Sequence, residues 1–166
     1  MTQFLFCDGG VVEKNPSVIG GTYAFCLIED ERSLIDGYYF RSCNSLKLSE
    51  VTNNITEMMA LVKGLQYLPP GWEGTICSDS MITLGRAFDG WKCKNLPRWL
   101  ISRLEFEKNR LVNWKNIKHI LHAGHPTKAQ LEAGVGRHGL PVSKWNVWCD
   151  KHCALAYEEY KVKNEI

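Results

Sequence analysis

Up to residue 43 the apolar residues come in short runs rich in aromatic and branched side chains, and from Asn54 onward they recur at helical spacing. Residues 3–7 (QFLFC), 20–29 (GGTYAFCLIE) and 34–43 (LIDGYYFRSC) read as strands, with EDERS as the hairpin turn between the second and third. Three antiparallel strands therefore open the chain. Ile55, Met58, Leu61, Val62, Leu65 and Leu68 then share one helical face, and Pro69-Pro70-Gly71 ends that helix. Residues 74–78 (GTICS) give a fourth strand, 81–89 and 96–112 two helices, WKNIKHIL (114–121) a fifth strand, and 148–162 a closing helix. The order β-β-β-α-β-α-α-β-α implies an α/β (α+β) fold, a five-stranded mixed sheet with helices on both faces. Only 126–145, with Gly134, Gly136, Gly139 and Pro141, reads as a long loop inserted into one domain over 1–166.

With 166 residues and 45% hydrophobic content, such a domain can bury a full core without disulfides. The seven cysteines are odd in number, and Cys7, Cys26 and Cys77 lie inside apolar runs, which fits reduced core thiols and a reducing, cytoplasmic compartment. The N-terminus lacks a basic segment followed by a long apolar one, and no apolar run approaches the roughly 18 residues that span a bilayer. A soluble protein with no membrane partner is expected. Residues 1–79 carry 5 Lys/Arg against 10 Asp/Glu, a balance of −5, and residues 80–166 carry 15 against 8, a balance of +7. This asymmetry suggests cation binding in one half and a polyanion partner in the other.

Four acidic residues occupy similar places. Asp8 follows the first strand, Glu57 lies in the first turn of the first helix, Asp79 ends the fourth strand and Asp150 opens the last helix. Partly dehydrated carboxylates brought together repel unless cations neutralise them, and hard divalent cations prefer oxygen ligands and also bind phosphate. Each residue also has an ordinary local explanation. Asp8 before Gly-Gly suits a turn, Asp79 before Ser80 suits a helix cap, Glu57 suits a capping box with Asn54, and Asp150 favours a helix dipole. Spacing alone leaves both possibilities open.

CDGG (7–10) with Asn15-Pro16 and Gly20-Gly21, TNNITEMMAL (52–61), SDS (78–80), HAGHP (122–126) and NVWCDKHCALA (146–156) together resemble ribonuclease H of type 1 over roughly residues 3–160. The resemblance implies the ribonuclease H-like fold and hydrolysis of the RNA strand of RNA–DNA hybrids, leaving 5′-phosphate and 3′-hydroxyl ends. It implies that Asp8, Glu57, Asp79 and Asp150 hold two Mg²⁺ or Mn²⁺ ions, and that His122 is a mobile catalytic histidine. It further implies contacts to RNA from Gly9, Asn15, Asn53, Asn54 and Ser80, and a DNA-phosphate pocket at Thr52 and Asn53. A monomer without a separate hybrid-binding domain is expected. Residues 86–118 hold nine Lys/Arg against three acids, interleaved with Trp91, Trp99 and Trp114, and form either a backbone-binding surface or ordinary core.

Some features depart from the family pattern. Only Lys92-Cys93-Lys94-Asn95 separates Trp91 from Leu96 where a longer basic segment is common, Met81-Ile82 follow SDS, and HIL precedes the histidines without the usual Trp and Lys-Gly. His122 and Asp150 lie 28 positions apart, where the family spacing is much shorter. Competing possibilities are a nuclease of the same fold acting on other DNA or RNA structures, a catalytically silent nucleic-acid binding module, and a zinc site drawn from His119, His122, His125, Cys149, His152 and Cys153. The insertion would add a basic flap through Lys128, Arg137, His138 and Lys144.

Overall fold

The fold comes from a computed structural model that describes residues 2–164. Five strands, β1 (Gln3–Val11), β2 (Gly20–Glu29), β3 (Arg32–Ser42), β4 (Thr75–Ser78) and β5 (Lys118–Leu121), form one sheet in the order β3-β2-β1-β4-β5. β1, β2 and β3 pair antiparallel, while β4 joins β1 in parallel and β5 joins β4 in parallel, so the sheet is mixed. The helices are α1 (Cys43–Leu46), α2 (Asn53–Leu65), α3 (Met81–Phe88), α4 (Arg98–Arg110), α5 (Lys128–Ala133) and α6 (Lys144–Lys163).

Side chains alternate across a strand, and here the alternation sorts the core into two layers. Leu5 and Cys7 of β1 and Tyr23, Phe25 and Leu27 of β2 pack with Met58, Leu61 and Leu65 of α2. Phe6 of β1 and Ala24, Cys26 and Ile28 of β2 pack with Cys149 and Cys153 of α6. Burial on both faces explains why these strands read as nearly continuous apolar runs. Leu5 and Phe25 are fully buried, and removing such a side chain costs about 2–5 kcal/mol.

Arg110 holds the end of α2. Its guanidinium donates to the carbonyls of Leu65 and Leu68 at 2.7 and 2.8 Å and to Glu107 at 2.7 Å. These bonds tie the last residue of α2 and the turn after it to α4. The helix that carries Glu57 is thereby fixed at both ends, since Thr52 caps its start by accepting from the Ile55 amide at 3.3 Å.

Several elements differ from the sequence expectation, beginning with α1, a short helix that starts at Cys43 where the third strand was expected to end. β1 continues through Asp8-Gly9-Gly10, because β2 supplies partners Ala24, Tyr23 and Thr22 for those residues. Of 114–121 only 118–121 is strand; Trp114–Asn116 form a 3₁₀ turn, with Trp114 stacked on Phe88 at 4.6 Å and Ile117 buried. These two apolar residues are three apart, the period of that tighter helix. The segment 126–145 contains α5, capped by Thr127 and Gln130, and the first residues of α6, capped by Ser143. α5 buries none of its residues and so left no apolar period to read.

Candidate active site

Asp8 sits inside β1, in the middle strand of the sheet, and is buried. A turn role is thereby removed. Gly9 follows it, and a Cβ at Gly9 would overlap the Thr56–Glu57 backbone of α2. Only a bare glycine lets α2 lie this close to β1, and that closeness brings Glu57 to Asp8. Asp79 follows β4, which pairs with β1, so the third carboxylate arrives from the neighbouring strand. Gly124 performs a similar service there, since a Cβ on it would lie 2.7 Å from Asp79 Oδ2.

Asp8, Glu57 and Asp79 each present a carboxylate oxygen within 4.8 Å of the others. Two like charges about 4 Å apart repel by roughly 4 kcal/mol at an effective dielectric near 20. Three such pairs would match the whole net stability of a small domain, about 5–15 kcal/mol. Burial pushes the Asp8 carboxyl well above the usual carboxylate range, and the Asp79 charge adds to that. Glu57 is likewise raised well above that range by burial, then by the charges of Asp8 and Asp79. Asp79 is raised by burial and then by the charge of Asp150. Glu57 is in the second turn of α2 rather than the first, and its Oε2 is buried without a hydrogen-bond partner. It does not close a capping box.

Asp150 stands outside this trio. It lies in the second turn of α6, not at its opening, and is the most exposed of the four, with a side chain 46% exposed. Its charge acts on Asp8 and Asp79, so α6 brings it to the rim of the cluster.

His122, expected as a mobile catalytic histidine, lies against the sheet. Its side chain is buried at 8% exposure, meets Phe6 edge-on at 5.6 Å, and has its Nδ1 3.5 Å from the Ile120 carbonyl. Burial lowers its pKa. The ring is thus packed against the sheet instead of projecting from a loop. His125, three residues on, has a side chain 78% exposed and Nδ1 3.5 Å from Asp150 Oδ2, and its charge also acts on Asp79. Of the two histidines of HAGHP, His125 is the one that borders Asp150. The missing signal was geometric: β5 ends at Leu121, and the first residue past it turns back under the sheet while the fourth emerges.

The other expected contacts gather at the start of α2 and of α3. Asn15 accepts from the Asn53 amide at 3.1 Å, which ties the segment after β1 to the N-terminus of α2 beside Thr52 and Asn54. Ser80 caps α3, accepting from the Thr83 amide at 3.2 Å. Trp91 and Trp99 are exposed, whereas Trp114 is stacked inward. The zinc possibility fails on placement. His119 stacks on Phe88, His152 on Trp148, and Cys149 faces Cys26 at 3.8 Å. Among the described residues the metal-competent group is Asp8, Glu57 and Asp79. One residue not singled out from sequence is Asn146, buried with an unpartnered Oδ1 in a recess of about 240 Å³ that it shares with His125 and Asp150.

No family model matches the chain, and no curated protein does. Solved structures do. The LC11 ribonuclease H1 in complex with an RNA/DNA hybrid is 15% identical over 96% of this chain and 99% of that one, with a TM-score of 0.67. The fold is the ribonuclease H fold. Ribonuclease H1 from the halophilic archaeon Halobacterium salinarum is 15% identical, covers 96% and 99%, and gives a TM-score of 0.64. The N-terminal ribonuclease H domain of a Mycobacterium tuberculosis protein is 16% identical, covers 98% of both chains and gives 0.65.

Proposed function

We propose that this chain is a metal-dependent ribonuclease H that hydrolyses the RNA strand of RNA–DNA hybrids. The observation that carries the proposal is the meeting of Asp8, Glu57 and Asp79 within 4.8 Å at the centre of a ribonuclease H sheet. The similarity to a ribonuclease H1 in complex with an RNA/DNA hybrid supports the choice of substrate.

The residues present fit divalent cations. An all-carboxylate donor set suits Mg²⁺ or Mn²⁺, and the unpartnered, buried Glu57 Oε2 is an acceptor that a cation would satisfy. Bound there, two such ions would supply an activated water and charge stabilisation of the leaving 3′-oxygen, giving 5′-phosphate and 3′-hydroxyl ends. Asp8, Glu57 and Asp79 would hold them, and Asp150 would complete the donor set from α6. With cations bound, the fixed placement of the trio would orient the scissile phosphate, which lowers the barrier. His125, whose Nδ1 lies 3.5 Å from Asp150 Oδ2, would move a proton at the rim. Gly9, Asn15, Thr52, Asn53, Asn54 and Ser80 would contact the strands. The 2′-hydroxyls in the wide minor groove of an A-like duplex distinguish the RNA strand.

The test is cleavage of end-labelled RNA–DNA hybrid, RNA duplex, DNA duplex and four-way junction, with Mg²⁺, with Mn²⁺ and with chelator, and Asp8→Asn as control. Metal-dependent cutting of the hybrid's RNA strand alone is expected. Cutting confined to DNA would reassign the chain to a nuclease for other structures, and hybrid binding without cutting would make it a binding module.

A further inference from the structure

A cavity of about 370 Å³ opens on the α2 side of the sheet, between the β2–β3 pair, α1, α2 and α4. Arg41, Lys47, Lys63 and Arg103 line it with Tyr23 and Trp99, and no acidic side chain does. Among the described residues none of these four cations takes part in a salt bridge. That is unexpected where it occurs. Residues 1–79 hold ten acids against five cations, yet three of the five, Arg41, Lys47 and Lys63, face this cavity rather than a carboxylate. Four like charges around one hollow repel one another unless an anion is shared among them.

The wall is also preformed. Arg41 is held by Ser45 Oγ at 3.3 Å. The Lys63 ammonium sits 5.0 Å over the Tyr39 ring, which stacks on Tyr23 at 5.1 Å. Cationic donors fixed in this way bind a phosphate with little loss of side-chain freedom. The exposed Trp99 beside them offers a face on which a base or sugar can rest.

Position relates the cavity to the carboxylates. Glu57 and Lys63 lie on the same helix, six residues and so about 9 Å apart along its axis. The cavity's α2 residues Met59, Val62, Lys63 and Gln66 lie on the helix face turned away from Glu57, so a strand that reached it would be one other than that lying on the carboxylates. The turn Lys92-Cys93-Lys94-Asn95 is short, which leaves grip on the second strand to be supplied elsewhere.

We infer that this cavity is a phosphate-binding subsite, separate from the carboxylates and from Thr52, that holds a backbone phosphate of the strand not being cut. The inference rests on the proposed hybrid-cleaving function. Phosphate chemistry could also arrive as a free anion, so the experiment has two arms.

In the first arm, hybrid affinity is measured by fluorescence anisotropy over a range of salt, in an Asp8→Asn background that blocks cleavage. It compares that protein with one also carrying Arg41→Gln, Lys63→Gln and Arg103→Gln. The dissociation constant is expected to rise about tenfold or more, and the slope of log affinity against log salt to shrink by about one unit. In otherwise unaltered enzyme the same three changes should raise KM more than they lower kcat. Circular dichroism checks folding, and Lys63→Gln and Arg103→Gln singly stand in should the triple variant unfold. Unchanged affinity and slope alongside normal hybrid cleavage would overturn the inference and leave the function intact. In the second arm, calorimetry measures inorganic pyrophosphate binding. Pyrophosphate affinity lost in the triple variant without a change in hybrid affinity would assign the cavity to a free anion and overturn the strand assignment. Absence of hybrid affinity and of cleavage in the unaltered protein would overturn the function and, with it, the strand assignment.

Discussion

The carboxylates of residues 8–79 and the groups of residues 122–150 reach the same place by different means. Asp8, Glu57 and Asp79 are buried or nearly so, and each is set by a backbone element locked into the sheet or packed on it. His125 and Asp150 are much more exposed, and the chain between them is α5, a 3₁₀ turn and the start of α6. The first group is fixed before any ligand arrives. The second borders on solvent and is placed by a long connection, which costs little because loop-closure entropy grows slowly with length.

The largest expected effect tests the fixed group. Asp8→Asn should lower hybrid cleavage at least about 10³-fold, roughly 4 kcal/mol of transition-state stabilisation. The variant should unfold no earlier than the parent in chelator, because it removes one of three clustered charges. Residual cleavage near the parent rate would show that the trio is not the reacting centre.

The next test sets the two histidines against each other. His125→Ala should reduce kcat about 10²-fold with an unchanged melting temperature. His122→Ala should leave kcat within a few-fold and lower the melting temperature, since it opens a hole against Phe6 worth about 2–4 kcal/mol. The opposite pattern would restore His122 to the catalytic role and make the exposed position of His125 incidental.

A third measurement concerns pH. Asp8 and Glu57 have pKa values raised by burial and by neighbouring carboxylates, and Asp79 by burial and then the charge of Asp150. A carboxyl group that holds its proton more tightly in the fold than in the unfolded chain stabilises the fold below the ordinary carboxylate pKa. That contribution is lost as pH rises through the raised value. In chelator, the melting temperature of Asp8→Asn should therefore pull ahead of the parent as pH rises above the usual carboxylate range. Adding Mg²⁺ should narrow that gap, because only the parent has the full donor set. A gap independent of pH would mean the three carboxylates are not coupled.

The smallest effect is reserved for the connection itself. Deleting 128–142, which spares the Ser143 cap of α6, should raise KM for the hybrid a few-fold with a smaller change in kcat. If both constants hold steady, Lys128 and Arg137 do not touch substrate.

The strand and helix sequence was legible because long apolar runs and helical spacing in residues 3–68 report a two-faced sheet and its covering helix. The acidic residues were legible too, as candidates. What spacing could not give was the choice between capping or turn roles and a shared cluster, because Asp8, Glu57 and Asp79 are far apart in sequence. Gly9 decided part of it, through a close approach to α2 that shows only when the two backbones are in place. The 126–145 segment reads as loop because α5 buries nothing and so shows no hydrophobic period, although Thr127 and Gln130 carry the capping-box pattern of a helix start.

The chain by itself determined that strands come first, that helices cover both sides, and that acids stand near the ends of buried runs, since these follow from local side-chain chemistry and period. Tertiary structure alone decided which acids meet, which histidine faces them, and that Arg41, Lys63 and Arg103 share one hollow. Each of these depends on contacts between residues far apart along the chain. Such proximity is set by strand order and helix packing, neither of which any single stretch of sequence contains.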